Sequence, residues 1–136
     1  FAAWIAERLG LPMVYIRKKP KGFGRQARIE GNLPEGARTL LVEDLATDGG
    51  SKLSFIDGLR EAGAEVGHAF VVFHYGIFPE STRSLAERGV ALHALATWWD
   101  AIAAAEAGGH LDAEACATIR AFLHDPAGWS PPATAR

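Results

Sequence analysis

One segment of the chain, Leu40–Lys52 (LLVEDLATDGGSK), restricts the fold more than any other part of the sequence. Its start overlaps a run of apolar and β-favouring residues, Thr39–Val42, which is typical of a strand buried inside a parallel sheet. Two adjacent acids, Glu43 and Asp44, follow this run, and a glycine-containing turn comes next. A helix predicted to begin with Ser51 as its N-cap completes a strand–turn–helix unit, which indicates a sheet covered by helices.

The rest of the chain repeats this alternation of strands and helices. The predicted strands are Leu11–Ile16, Ala27–Glu30, Arg38–Leu45, Val66–Tyr75 and Val90–Leu95, and the predicted helices are Phe1–Gly10, Ser51–Ala62, Pro79–Arg88, Thr97–Ala107 and Asp112–Asp125. This order predicts an α/β fold of the doubly wound class, with a mostly parallel central sheet flanked by helices. We expect one domain over residues 1–128 and a loose C-terminal tail over residues 129–136. Because such folds bind ligands beyond the carboxyl ends of their strands, the segment around Asp44 is the first candidate site.

Composition narrows the class of protein. With 136 residues, 49% of them hydrophobic and 22% charged, the chain resembles a folded globular domain rather than a disordered one. A formal net charge of -2 argues against a protein dedicated to coating nucleic acid, and no apolar run approaches the ~20 residues of a membrane span. The single cysteine, Cys116, cannot form an intrachain disulfide, and we expect it to be a small buried residue of a cytoplasmic protein.

The turn between Asp44 and the following helix has the chemistry of an anion site. Gly49 and Gly50 allow backbone N–H groups to converge on a ligand without obstruction by side chains. Thr47 and Ser51 add hydroxyl groups, and the start of the helix adds the positive end of its dipole, so a phosphate fits here. The spacing of a Walker loop is absent, and no Gly-x-Gly-x-x-Gly follows a strand, so neither of those phosphate-binding loops is present.

The two acids, Glu43 and Asp44, add groups that suit a sugar bound next to the phosphate. Carboxylates are unsuited to phosphate but suit sugar hydroxyls and Mg²⁺-bound water, so the whole segment fits a phosphorylated ribose. At these residues the sequence resembles the phosphoribosyl-pyrophosphate motif of type I phosphoribosyltransferases. The resemblance implies that this substrate is bound by Glu43, Asp44, Leu45, Ala46, Thr47, Asp48, Gly49, Gly50 and Ser51. The alternative is an ordinary strand–turn–helix unit with two surface acids, which the number of matching positions disfavours.

A second segment narrows the resemblance. The stretch Ile16–Gly24 (IRKKPKGFG) is similar to the catalytic loop of the orotate phosphoribosyltransferases, and Arg17, Lys18 and Lys21 match its basic positions. Six of the 14 Lys and Arg residues lie between Arg17 and Arg28, with no acid among them. The resemblance implies a flexible loop whose cations stabilise a departing pyrophosphate, with Arg17, Lys18, Lys21 and Asp44 as the catalytic residues. A solvated basic loop or a nucleic-acid patch is the alternative.

The chain departs from this family at two places. Phe23 stands where the family commonly has a histidine, and His74 and Tyr75 follow the Val66–Phe73 strand where many members carry an arginine that holds the orotate ring. With that arginine absent, we expect Thr47 and Tyr75 to contact the base. The resemblance covers about Phe1–Leu95, and we expect the family's N-terminal section to be missing from this sequence.

The resemblance implies an enzyme of de novo pyrimidine synthesis that forms orotidine 5′-phosphate and pyrophosphate from orotate and phosphoribosyl pyrophosphate. It further implies a Mg²⁺ cofactor, held mainly by substrate and water near Glu43 and Asp44, and a homodimer with shared active sites. Three other hypotheses stay open at this point. They are a phosphoribosyltransferase for another base such as a purine, a non-catalytic regulatory protein that binds phosphoribosyl pyrophosphate, and a nucleic-acid-binding protein that uses the basic loop.

Overall fold

The computed structural model describes residues 1–19, 28–47 and 50–130. Three of the predicted site residues, Lys21, Asp48 and Gly49, lie outside the described residues, as does Phe23. The structure therefore describes the predicted phosphate turn (Thr47–Ser51) at its two ends, and the basic segment (Arg17–Arg28) at its first three residues and at Arg28.

Three parallel strands form the central sheet of the described part of the chain. They are β3 (Arg38–Ala46), β4 (Glu65–His74) and β5 (Ala91–Thr97), and they lie in the order β3-β4-β5. The predicted parallel sheet flanked by helices is thereby confirmed.

A separate antiparallel hairpin pairs β1 (Tyr15–Ile16) with β2 (Ile29–Glu30). The strand predicted over Leu11–Ile16 is therefore shorter than expected, because the partner strand offers only two residues and Pro12 has no N–H to donate.

The described residues also form five helices: α1 (Ala2–Leu9), α2 (Gly50–Glu61), α3 (Pro79–Ala86), α4 (Trp98–Ala107) and α5 (Ala113–His124). Their ends follow local chemistry. Gly10 ends α1 with a left-handed φ of 64°, and the side chain of Thr97 caps α4 in a reciprocal pair of hydrogen bonds with Asp100. Among the described residues, no helix combines the length and the apolar character needed to cross a bilayer.

The prediction of Ser51 as an N-cap is wrong. Helix α2 begins at Gly50, so Ser51 lies inside its first turn. The N–H groups of a first helical turn have no acceptor within the helix, and Ser51 therefore stays among the groups that can meet an anion.

The larger core lies between the sheet and helices α2 and α3. Ile56 and Leu85, from the two helices, are fully buried there, and Leu41, Val66 and Val90 lie in the same cluster. A smaller core joins α4 to α5, where Ile102, Leu123 and Cys116 are buried. The unpaired Cys116 is thus a small interior residue, as predicted.

Strand register brings the carboxyl ends of the three strands to one edge of the sheet. Ala46 pairs with His74, and His74 pairs with Thr97. The residues that follow these positions therefore lie side by side at this edge, where an α/β sheet presents its ligand sites.

Candidate functional site

The end of β3 and the end of β4 are joined by a direct backbone contact. The N–H of Tyr75 donates a hydrogen bond of 2.9 Å to the carbonyl oxygen of Ala46. Since Thr47 follows Ala46, this bond places the backbone of Tyr75 beside the start of the phosphate turn. The two residues predicted to contact the base, Thr47 and Tyr75, are thus brought to one place, and both are half-buried.

The two adjacent acids have different environments. Successive side chains of a strand point to opposite faces of the sheet, so Glu43 and Asp44 diverge. Glu43 is half-buried and faces α2, where its Oε2 lies 2.9 Å from Nζ of Lys52. Asp44 is exposed, and its side chain has no ion-pair partner in the part of the chain that the structure describes. Asp44 is therefore the acid open to a ligand.

Lys52 is a residue of this site that the sequence analysis missed. Only 2% of its surface is exposed, and besides meeting Glu43 its Nζ donates a hydrogen bond of 2.6 Å to the carbonyl oxygen of Leu45. A sequence signal for this burial exists. Lys52, Phe55, Ile56 and Leu59 follow the i, i+3, i+4, i+7 spacing of a buried helix face.

The start of α2 supplies the other end of the phosphate turn. Gly50 and Ser51 are exposed in the first turn of this helix, and Thr47 lies at the end of β3. The N–H groups of a first helical turn and the positive end of a helix dipole together favour a bound anion. The described ends of the turn thus carry the groups that the predicted phosphate site requires.

The basic segment begins at the hairpin. Arg17 is half-buried, and its Nε donates a hydrogen bond of 2.6 Å to Glu30, with a second contact from its terminal nitrogen to the same oxygen. Lys18 and Lys19 follow as exposed side chains. Of the predicted pyrophosphate cations, Lys18 is therefore exposed, and Arg17 is half-buried and paired with the carboxylate of Glu30.

Contacts between the hairpin and α2 connect the basic segment to the phosphate turn. The guanidinium of Arg28 donates hydrogen bonds to the carbonyl and hydroxyl oxygens of Ser54, at 3.0 and 3.2 Å. Gly58 lets the two elements approach, since a Cβ there would meet Ile16 Cδ1 at 2.9 Å and the Arg28 guanidinium at 3.0 Å. The arginine of the basic segment and the helix of the phosphate turn are thus parts of one packed unit.

A groove of about 880 Å³ runs between α1, the segment after it and the edge of β3. Three predicted site residues, Arg17, Lys18 and Glu43, line this groove together, so the structure brings the basic segment and the acidic strand end to a common cavity. Asp44, Thr47, Ser51 and Tyr75 do not line it. They form the rim along the carboxyl edge of the sheet instead.

An aromatic cluster stands next to Tyr75. The rings of Phe73 and Trp98 lie with their centroids 5.1 Å apart, and Tyr75 contacts both edge-on, at 6.2 and 5.8 Å. The sequence analysis did not assign Phe73 or Trp98 to the site. Their positions at the ends of adjacent parallel strands were the available signal, because such ends share one edge of the sheet.

His74 stabilises the same edge from within. Its Nε2 lies 2.9 Å from Oγ of Ser81, whose single hydroxyl proton is donated to the carbonyl oxygen of Phe78 at 2.7 Å. Ser81 must therefore accept its bond from Nε2–H of His74. Burial, followed by the charge of Lys52, lowers the pKa of His74 below its ordinary value of 6.5, so the ring stays neutral.

The other histidines were not predicted to belong to the site. His68 and His93 are exposed on adjacent strands, with Nδ1 of the first 3.0 Å from Nε2 of the second, and the ring of His124 lies against Trp99. Across residues 1–19, 28–47 and 50–130, no group of three or more His, Cys, Asp or Glu side chains is arranged to hold a metal ion.

Comparison with known proteins gives close sequence relatives. The chain is 59% identical over 129 residues to an orotate phosphoribosyltransferase of Roseobacter denitrificans, a match that covers 95% of this chain and 57% of the relative. The chain thus spans a little over half the length of that relative. No model of a protein family matches it.

Solved structures share the fold. An orotate phosphoribosyltransferase from Aeropyrum pernix is 36% identical with a TM-score of 0.65, over 82% of this chain and 59% of that one. The UMP synthase of Leishmania donovani is 25% identical with a TM-score of 0.72, over 90% of this chain and 26% of that one. The parallel sheet with its flanking helices is therefore the same arrangement as in these enzymes.

Proposed function

Since this chain belongs to the orotate phosphoribosyltransferase family over the 129 residues that match, we propose that its protein converts orotate and phosphoribosyl pyrophosphate into orotidine 5′-phosphate and pyrophosphate. The fold is that of type I phosphoribosyltransferases. The observation that best supports the proposal is the carboxyl end of β3, where the exposed Asp44 and the start of α2 lie, next to a groove that Arg17 and Lys18 line together with Glu43.

The reaction breaks the bond between the anomeric carbon and pyrophosphate and forms a bond from that carbon to a ring nitrogen of the base. Negative charge grows on the leaving group while the sugar becomes oxocarbenium-like. Arg17, Lys18 and Lys21 supply cations for the departing pyrophosphate, and such preorganised charge is a large source of rate enhancement. Arg17 must exchange Glu30 for the ligand to do so.

The sugar phosphate lies along the rim. Asp44, open to solvent at the end of β3, accepts hydrogen bonds from ribose hydroxyls, and Glu43, whose charge Lys52 offsets, lies on the half-buried side of the strand. Thr47 and Ser51 bind the 5-phosphate together with the first N–H groups of α2. Leu45, Ala46, Asp48, Gly49 and Gly50 complete the backbone of this proposed binding segment.

Magnesium is part of the proposal. Mg²⁺ prefers carboxylate oxygen and retains several of its waters, so it suits the exposed carboxylate of Asp44. When bound, Mg²⁺ supplies positive charge that stabilises the pyrophosphate as it leaves.

The base lies against Thr47 and Tyr75 in this proposal. The backbone hydrogen bond from Tyr75 to Ala46 places Thr47 and Tyr75 together at the start of the phosphate turn. The rings of Phe73 and Trp98 lie against Tyr75 and form an aromatic wall with it. Polar groups at the edge of an aromatic surface suit a planar base with oxygen substituents. The same wall accepts a purine in the alternative function.

We also propose a homodimer with shared active sites and a cytoplasmic location. The exposure of Lys18 and Lys19 in the basic segment supports the first, because their side chains are not packed against their own chain. The unpaired Cys116 agrees with a reducing compartment.

An assay with the full-length protein tests this function. Orotate, phosphoribosyl pyrophosphate and Mg²⁺ are mixed with it, and the loss of orotate absorbance is followed. We expect turnover with orotate and none with hypoxanthine, xanthine or uracil. Turnover with a purine base would establish the alternative enzyme, and binding of phosphoribosyl pyrophosphate without turnover of any base would establish the regulatory protein.

A further inference from the structure

We infer that Lys52 is a positioning residue of the sugar-phosphate site, which sets the geometry of the turn and the charge of its acidic rim. The inference rests on the proposed function, since it names how that site is held in shape. The motif indicated Glu43 and Leu45 but assigned no role to Lys52.

The burial of Lys52 is the first observation. A lysine is almost never fully buried unless its charge is paired, because an ammonium group loses its hydration in the interior. Lys52 is 2% exposed, and its Nζ meets both the carboxylate of Glu43 at 2.9 Å and the carbonyl oxygen of Leu45 at 2.6 Å. These two partners therefore have to stay in place for the fold to keep a charged lysine there.

The position of these partners ties the two ends of the turn together. Leu45 belongs to the last residues of β3, and Lys52 is the third residue of α2. The hydrogen bond between them joins the strand that precedes Thr47 to the helix that contains Ser51. A phosphate bound by N–H groups needs these groups in a fixed arrangement, and a buried tether across the turn provides it.

The charge of Lys52 acts on the acidic rim. Glu43 Oε2 is buried and meets Lys52 as an ion pair, without a hydrogen-bond donor of its own among the described residues. The pair leaves Asp44 as the one uncompensated acid of the two. A ligand that carries several phosphate charges is repelled less by one free carboxylate than by two, so the pair favours its binding.

The comparison of Lys52→Met with the parent protein tests both effects. Methionine keeps the length and the apolar stem of lysine but removes the ammonium group. We expect the KM for phosphoribosyl pyrophosphate to rise by about tenfold, the scale of a lost interaction near 1.4 kcal/mol, while the KM for orotate stays within about twofold. Arg83→Met, which removes an exposed cation on α3, is the control and should change neither constant.

A second substitution separates the charge effect from a loss of structure. In Lys52→Met the Glu43 carboxylate is unpaired, so Glu43→Gln added to Lys52→Met should recover part of the lost affinity. A purely structural role predicts that both KM values and the midpoint of thermal unfolding change together, without recovery. An unchanged KM for phosphoribosyl pyrophosphate in Lys52→Met would equally overturn the inference.

Two outcomes complicate this comparison: Lys52→Met fails to fold, or the parent protein turns over no base. If Lys52→Met does not fold, the double variant is compared with Glu43→Gln alone, and equal affinity for phosphoribosyl pyrophosphate rules out the tether. If the parent turns over no base, the proposed function fails, and calorimetric titration of the same variants with phosphoribosyl pyrophosphate decides the role of Lys52. A parent that neither turns over nor binds this ligand contradicts both.

Discussion

Arg17 and Glu30 form an ion pair across the β1–β2 hairpin, with the Arg17 guanidinium donating two hydrogen bonds to one carboxylate oxygen. The pair is partly exposed, and it occupies the arginine that the proposed function assigns to pyrophosphate. Under the proposed function, Glu30 therefore competes with phosphoribosyl pyrophosphate for this cation, and binding of that ligand has to displace the Glu30 carboxylate.

The first prediction follows from this competition. Glu30→Gln removes the competing charge, so the KM for phosphoribosyl pyrophosphate should fall by about two- to fivefold, as expected for an exposed ion pair. Initial-rate kinetics at low salt measure it. Glu114→Gln, an exposed acid of α5, is the matched control. A higher KM in Glu30→Gln would mean that Glu30 orients Arg17 rather than competes for it.

The second prediction concerns Asp44. Asp44→Asn should lower kcat/KM by about 10²-fold, because the amide cannot match the charge that the sugar hydroxyls and Mg²⁺ require. The fold should persist, since the side chain is exposed. Asp57→Asn, which removes only a surface pair with Arg88, is the control and should retain parent activity. An Asp44→Asn protein with parent kinetics would remove this residue from the site.

The third prediction compares two lysines of the basic segment. Lys21→Ala should reduce kcat by about 10²- to 10³-fold, because a cation that stabilises the departing pyrophosphate is lost. Lys19 is exposed and has no assigned contact, so Lys19→Ala should change kcat little. Single-turnover kinetics of both variants distinguish the chemical step from substrate binding. Equal losses would indicate a general effect of basic charge instead.

The fourth prediction uses Trp98 as a reporter of the base. Its ring contacts Phe73 and Tyr75 at the proposed base wall, so orotate should change the tryptophan emission of the protein. Trp98→Phe should abolish that change, whereas Trp129→Phe, whose ring packs on Phe122, should preserve it. A change that survives Trp98→Phe would place the base elsewhere.

The fifth prediction is a pH dependence of stability. The pKa of His74 is lowered in the folded chain by burial and by Lys52, so the unfolded chain binds the proton more readily. The stability that depends on a neutral His74 is complete above its unfolded pKa of about 6.5 and is lost as the pH falls below it.

Urea unfolding at pH 7.5, 6.5 and 5.5 measures this dependence. We expect His74→Gln to be less stable than the parent at pH 7.5 but to lose less free energy of unfolding on acidification. Parallel curves for the two proteins would show that His74 does not contribute to the pH dependence.

Local patterns were sufficient for most of the fold. The apolar run that ends at Glu43 and Asp44 predicted β3, and the sequence pattern predicted helices over Thr97–Ala107 and Asp112–Asp125, where α4 and α5 lie. These signals act over a few residues, through backbone hydrogen bonds and side-chain alternation. The same locality explains the error at Ser51, since the residue that starts a helix is decided by small differences between neighbouring positions.

The candidate site was predicted in its parts but not in its internal contacts. The motif indicated both acids. It did not indicate that Glu43 pairs with Lys52 while Asp44 is exposed. That difference depends on how α2 packs against β3. The aromatic wall of Phe73, Tyr75 and Trp98 depends likewise on the register of β4 and β5, which pairs His74 with Thr97.

The amino-acid order alone determined the strand–turn–helix unit, its acids, its phosphate turn and the basic segment, because hydrogen bonding and side-chain periodicity act between near neighbours. Only the tertiary structure decided that Lys52 is buried against Glu43 and that Glu30 holds Arg17. Such contacts join residues far apart in the chain or on separate elements. They form only when packing brings the groups together and removes the water that would otherwise solvate them.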